Sequence, residues 1–108
     1  MNWRKLTSIP EFEELLTQSS LDDSAFLLFK HSSRCMISTM ALRAFESEYS
    51  SDIPAYFVDL IQYRELSNFI AEATTITHQS PQVITIKKGV PVYSESHHHI
   101  SAHSATQL

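Results

Sequence analysis

The chain has 108 residues, 43% of them hydrophobic, and a formal net charge of −4 from 8 Lys/Arg and 12 Asp/Glu. That length suits one domain over residues 1–108 with a real core, and the acidic balance argues against nucleic acid, whose binding needs a basic face. The longest apolar run, Ala25 to Phe29, falls far short of a membrane span. The opening MNWRKLTSIPEFEELL lacks the apolar stretch of a signal peptide, and Cys35, the only cysteine, cannot form an internal disulfide, so a cytoplasmic, reducing setting is expected.

A first strand at Trp3–Leu6 is a marginal pattern. Ser8-Ile9-Pro10-Glu11 has the spacing of a capping box, with the Ser8 hydroxyl accepting from a first-turn N–H and Glu11 reaching back. Pro10 suits the first turn, where N–H groups lack helical partners. Phe12, Leu15 and Leu16 continue a helix to about Ser19-Ser20. Ala25-Phe26-Leu27-Leu28-Phe29, apolar on both faces, suits a central strand covered on both sides. The polar segment His31-Ser32-Ser33-Arg34 then turns the chain. From Cys35 the pattern becomes Ile37, Met40, Ala41, Ala44, Phe45, an amphipathic helix. Ser33 is its natural N-cap, which puts Cys35 in its first turn.

Ala55 to Leu60 reads as a second buried strand, and Leu66, Phe69, Ile70 and Ala73 as a third helix. Ser80-Pro81 precedes a strand over Val83–Ile86. Lys88-Gly89 signals a hairpin, and Val90–Ser94 returns. Pro91, which cannot donate to a ladder, places that strand at a sheet edge. Ser101 caps a short C-terminal helix. Strand–helix–strand units call for right-handed crossovers and parallel pairing, and the last two strands pair antiparallel. The expected fold is therefore α/β: a mixed sheet with a C-terminal antiparallel hairpin and helices on both faces.

Cys35 has two readings. Free cysteine is commonly a small buried hydrophobe. Here, however, the sulfur stands at a strand-to-helix turn, and helix N-termini and cations favour the thiolate. From Ser24 to Phe45 there is no carboxylate, while Lys30, Arg34 and Arg43 are all present. The apolar stripe begins only at Ile37. Position therefore favours a reactive, partly exposed thiol, with Arg34 and His31 adding positive character. Ser38 returns to the same helix face three residues on, where its hydroxyl would donate to the sulfur. His31 has a second reading as a structural hydrogen bond at the strand end, and Arg34 one as a solvated loop charge.

The motifs H-S-x-x-C-x-I-S at His31–Ser38, S-x-x-I-A at Ser67–Ala71 and H-x-S-P-Q at His78–Gln82 together resemble the monothiol bacilliredoxin family, the bacillithiol-system YtxJ family of the thioredoxin superfamily. The resemblance covers nearly the whole chain and implies a thioredoxin-like fold and cytoplasmic disulfide exchange. It implies that Cys35 attacks protein–bacillithiol mixed disulfides, and that Pro81 is a cis-proline beside the thiol. Ser80, Pro81, His78 and Ser32 become candidates for substrate contact. For Ser80-Pro81 the alternative is a tight turn, and for His78 a plain loop histidine. Arg34 becomes a candidate for the malyl carboxylates of bacillithiol.

Position 38 is Ser, so no second thiol resolves the mixed disulfide internally. The expected partners are bacillithiolated clients and a second thiol or reductant that releases Cys35, with bacillithiol as a covalent substrate and no bound cofactor. No membrane partner is expected, and the chain is expected to be a monomer or weak dimer. His97, His98, His99 and His103 invite a zinc reading, but imidazoles without a nearby Cys or acid make a poor site, and no metal is expected. Two rival readings remain. Cys35-x-x-Ser38 has the spacing of the iron–sulfur-carrying monothiol glutaredoxins, although bulky Met36 stands where they have Gly. A non-catalytic binding module would instead use Tyr56, Tyr63 and Tyr93.

Overall fold

Alternation along one central strand divides this chain into two cores. In the computed structural model, which describes residues 1–108, β2 (Ala25–His31) pairs in parallel with β3 (Ala55–Asp59) and antiparallel with β4 (Gln82–Lys87). With β1 (Trp3–Lys5) and β5 (Val90–Ser96) the sheet order is β1-β3-β2-β4-β5. Successive side chains of a strand point to opposite faces. Phe26 and Leu28 therefore join Val58, Ile84 and Ile86 against Phe12 of α1 (Ile9–Asp22) and Leu66 and Ile70 of α3 (Arg64–Thr74). Leu27 and Phe29 join Val83 against Phe45 of α2 (Met36–Glu48) and Ala102 and Ala105 of α4 (Ala102–Ala105). The fold is the expected mixed sheet with helices on both faces. No helix is long and apolar enough to cross a membrane.

Local chemistry explains the boundaries. Ser8 caps α1 by accepting from the Glu11 N–H at 3.3 Å. Glu11 reaches one residue further back than a capping box requires, accepting from the Thr7 N–H at 3.3 Å and the Thr7 hydroxyl at 2.9 Å. The marginal first strand forms because β3 offers it a parallel edge, with Trp3 opposite Ala55. Pro91 lies on the edge strand, beside a register shift between Thr85 and Ile86. Ser101 caps α4 through the Ser104 N–H.

Three expectations are corrected. Parallel pairing holds for β2–α2–β3, but β4 runs antiparallel to β2, so the reversal begins one strand before the hairpin returns. Asp59 is paired with His31 and Gln82 with Lys30, so β3 ends where β4 begins, at one end of the sheet. The central strand also runs two residues past Phe29, because Lys30 and His31 keep ladder partners on β3. Lys30 is consequently buried, not part of the loop charge. Finally, Ile37 and Met40 of the α2 stripe are 58% and 65% exposed, so only the Phe45 end of that stripe enters the core.

The β4–β5 turn holds Lys88 and Gly89 at φ 57° and 75°, and the Gly89 N–H donates to the Ser19 hydroxyl at 3.0 Å. A Cβ on Gly89 would meet the Ser20 Cβ at 3.0 Å. Gly89→Ala should therefore lower stability by about 1–2 kcal/mol from backbone strain alone, read by urea unfolding; an unchanged midpoint would contradict this role.

Candidate active site

The thiol is reached by a tight turn leaving β2. The Cys35 N–H donates to the Ser32 carbonyl at 3.1 Å, and the first helical bond runs from the Thr39 N–H to the Cys35 carbonyl at 3.1 Å. Cys35 is thus the N-cap of α2, with extended φ −112° and ψ 118°. Ser33, the expected cap, lies in the preceding turn. An N-cap side chain lies over the first-turn N–H groups, which have no helical acceptor. Cys35 makes no capping bond and α2 has no acidic residue in its first turn. The side chain is half-buried, which gives a sulfur both accessible and sheltered.

Ser38 does not serve the sulfur as expected. It is fully buried, its Oγ lies 2.6 Å from His31 Nδ1, and it accepts from the Ser32 N–H at 3.1 Å. One hydroxyl therefore ties the end of β2, the start of the thiol loop and the first turn of α2 together. His31 takes its structural reading: it is buried, and its ring lies 5.3 Å from that of Phe57. Burial holds its pKa below the ordinary histidine value, opposed by the nearby Asp59 carboxylate and by Ser38. Arg34 is exposed and Ser32 half-exposed in the same loop.

Across the sheet end stands the second loop. The Ser80–Pro81 bond is cis. Lys30 pairs with Gln82, so Pro81 lies one step beyond the ladder, at the end where β2 delivers His31. The Pro81 carbonyl accepts from the His97 N–H at 3.0 Å. Ser80 Oγ and Gln82 Oε1 are buried without partners. Beside the thiol helix, Ile37, Met40, Ala41 and Ala44 face His97, His98 and Ile100 across an apolar groove of about 330 Å³. The His98 and His99 rings lie 4.1 Å apart, in a 3-10 turn over His97–His99. No group of three or more His, Cys, Asp or Glu side chains is placed to hold a metal ion.

Sequence reasoning missed one feature. Lys30 is fully buried, and its Nζ donates to the Ser67 carbonyl at 3.0 Å and lies 3.4 Å from His78 Nδ1. Ser67 Oγ lies 3.2 Å from the same Nδ1. Burial pushes Lys30 down to about 8. Burial also lowers His78, as do the charges of Lys30 and Arg64. The available signal was two-residue alternation: Lys30 follows Phe26 and Leu28 on one face of β2.

A sheet of this order, with a lone cysteine capping the helix after its central strand and a cis-proline leading into β4 at the same sheet end, defines a single-cysteine protein of the thioredoxin-fold class. Residues 4–105 match the family model of the monothiol bacilliredoxin BrxC, and the chain belongs to that family. A solved protein with a thioredoxin fold and a suggested oxidoreductase activity is 32% identical, covering 97% of this chain and 91% of its own, with TM-score 0.83. Schistosoma mansoni thioredoxin is 20% identical, covering 95% of this chain and 88% of its own, with TM-score 0.69. Malassezia sympodialis thioredoxin is 13% identical, with coverage of 95% and 84% and TM-score 0.70. These two thioredoxins are similar in fold alone.

Two outcomes follow from the geometry. Ser38→Ala leaves His31 Nδ1 and the Ser32 N–H unpaired in a buried site and should cost about 1–3 kcal/mol by urea unfolding. A slower thiol with unchanged stability would instead restore the sulfur-donor role. Between about pH 8 and the ordinary lysine value the folded chain binds fewer protons than the unfolded one, so the contribution of Lys30 to stability rises with pH. The stability of wild type relative to Lys30→Met should therefore increase from neutral pH toward about pH 10; a flat difference would mean that Lys30 is not held desolvated.

Proposed function

We propose that this chain carries out thiol–disulfide exchange, taking bacillithiol from proteins that carry it as a mixed disulfide. The carrying observation is the half-buried Cys35 at the α2 N-cap, alone in a chain with no second thiol. The Cys35 thiolate attacks the bacillithiol sulfur of the mixed disulfide. A new S–S bond forms between Cys35 and bacillithiol, the old one breaks, and the client sulfur leaves as a thiolate that takes a proton from water. A second thiol, or a reductant, then attacks the bacillithiol sulfur and releases Cys35 as thiolate. The attack rate follows thiolate fraction, nucleophilicity and access, and Arg34, exposed in the thiol loop, adds positive charge on the approach to the sulfur. Ser80 and Pro81 present extended backbone to the client, and Ser32 and His78 border the same sheet end. The partners are bacillithiolated proteins and a releasing thiol in a reducing, cytoplasmic setting. Bacillithiol enters as substrate, not as resident cofactor.

Mixing the reduced chain with a bacillithiolated client and recording intact masses should show one bacillithiol added to this chain and lost from the client. Cys35→Ala should abolish the shift, and absence of transfer in the parent chain would sink the proposal. Arg34→Glu should slow the transfer about two- to fivefold, the range for an exposed charge, and the difference should shrink with added salt. An unchanged rate would show that the loop charge is irrelevant.

A further inference from the structure

His78 stands on the loop that leads to Ser80 and cis-Pro81, and both its polar neighbours approach the same ring nitrogen. Lys30 Nζ is 3.4 Å and Ser67 Oγ 3.2 Å from Nδ1, while Nε2 makes no hydrogen bond within the chain and the ring is half-exposed. An ammonium group has three donors and no lone pair. Facing Lys30, Nδ1 must therefore be the acceptor, which leaves the single ring proton on Nε2. Lys30 is held in place by the Ser67 carbonyl. The groups around the ring are Lys30 from β2 and Ser67 and exposed Arg64 from α3, while Gln82 of β4 is the ladder partner of Lys30. The charges acting on the ring are those of Lys30 and Arg64, and no carboxylate is among them. The result is an outward N–H donor in a positive, partly desolvated field.

We propose that Lys30 and Ser67 lock His78 as the neutral, Nε2-protonated ring, and that this N–H receives a carboxylate of the small thiol carried by the substrate. The assignment rests on the exchange reading above and deepens it, making His78 a specificity residue and Lys30 a positioning residue. A carboxylate suits both parts of the site: it accepts the Nε2–H, and it gives the buried Lys30 charge the counter-charge the fold omits. The malyl group of bacillithiol supplies such carboxylates. The lock depends on Lys30 remaining charged. Once Lys30 loses its proton it can accept from Nδ1, and the ring is free to change tautomer.

The test uses the unreactive Cys35→Ser chain, labelled with ¹⁵N, and imidazole ¹H–¹⁵N spectra, with His78 assigned by its loss in His78→Gln. Expected is a neutral, Nε2-protonated His78 at about pH 6, where an ordinary histidine is mostly charged. Raising the pH through the Lys30 titration, or Lys30→Met, should give mixed tautomers. Added bacillithiol should shift Nε2, whereas an analogue lacking the malyl group should not. His78→Leu should weaken bacillithiol binding about tenfold, the loss expected for one charge-assisted hydrogen bond, and His78→Gln, which keeps a donor, should recover part of it. A charged or Nδ1-protonated ring at about pH 6, or equal binding of the two thiols, overturns the assignment even where transfer to Cys35 is observed. Loss of transfer with the Nε2 shift intact overturns the exchange reading and leaves the carboxylate site standing.

Discussion

The end of β2 is the constraint on which the rest of this structure depends. Two consecutive residues, Lys30 and His31, remain in the ladder, and alternation sends them to opposite faces of the sheet. His31 meets Ser38 in the first turn of α2, and Lys30 meets Ser67 and His78 on the α3 side. The thiol loop and the cis-proline loop are far apart in sequence, yet both are referenced to adjacent residues of one strand. An exchange reaction needs its attacking, central and leaving sulfurs held in register, and orientation of this kind lowers a barrier without new chemistry. A strand paired on both sides is the stiffest element available for that purpose.

Most of the architecture was legible in the sequence, because it rests on local rules. Ser8 and Glu11 announced α1, Lys88-Gly89 the hairpin, and Pro91 the edge strand, each through an interaction spanning a few residues. What escaped is long-range. Lys30 looked like loop charge because a lysine following an apolar run usually ends a strand. Only ladder partners on β3 and β4 keep it inside. Ile37 and Met40 looked like core because periodicity counts apolar side chains without knowing what covers them. They are exposed on α2, just after the thiol in sequence. The cap of α2 was misplaced by two residues, since Ser33 and Cys35 both precede a helical pattern and only the backbone bonds decide between them.

Ser38 takes a different role from the one its spacing suggested. Its spacing from Cys35 suggested a donor to the sulfur. Its hydroxyl instead accepts from the Ser32 N–H and is bonded to His31 Nδ1. The consequence for chemistry survives, because the position still offers no second thiol and a mixed disulfide at Cys35 would have no internal attacker. The consequence for structure is new. The hydroxyl that stands in place of a resolving sulfur closes the loop beneath the nucleophile, so the monothiol character and the rigidity of the site have one origin.

The two cations near the site differ in kind. Arg34 is exposed, so its field is screened over about 8 Å at physiological ionic strength, and it acts chiefly on approach. Lys30 is buried and bonded only to neutral acceptors, an arrangement that is expensive in stability. A structural lysine would be better served by a carboxylate. Its retention without one is economical only if an anion arrives from outside, or if the charge is needed to hold a neighbour in one protonation state. At His78 these are the same requirement. A ring that stayed free to accept a proton would change its donor pattern near neutrality, while a ring facing the ammonium presents one N–H for as long as Lys30 stays charged. Lys30 thus holds the cis-proline loop in one donor state below about pH 8, where its ammonium is charged, and releases it above.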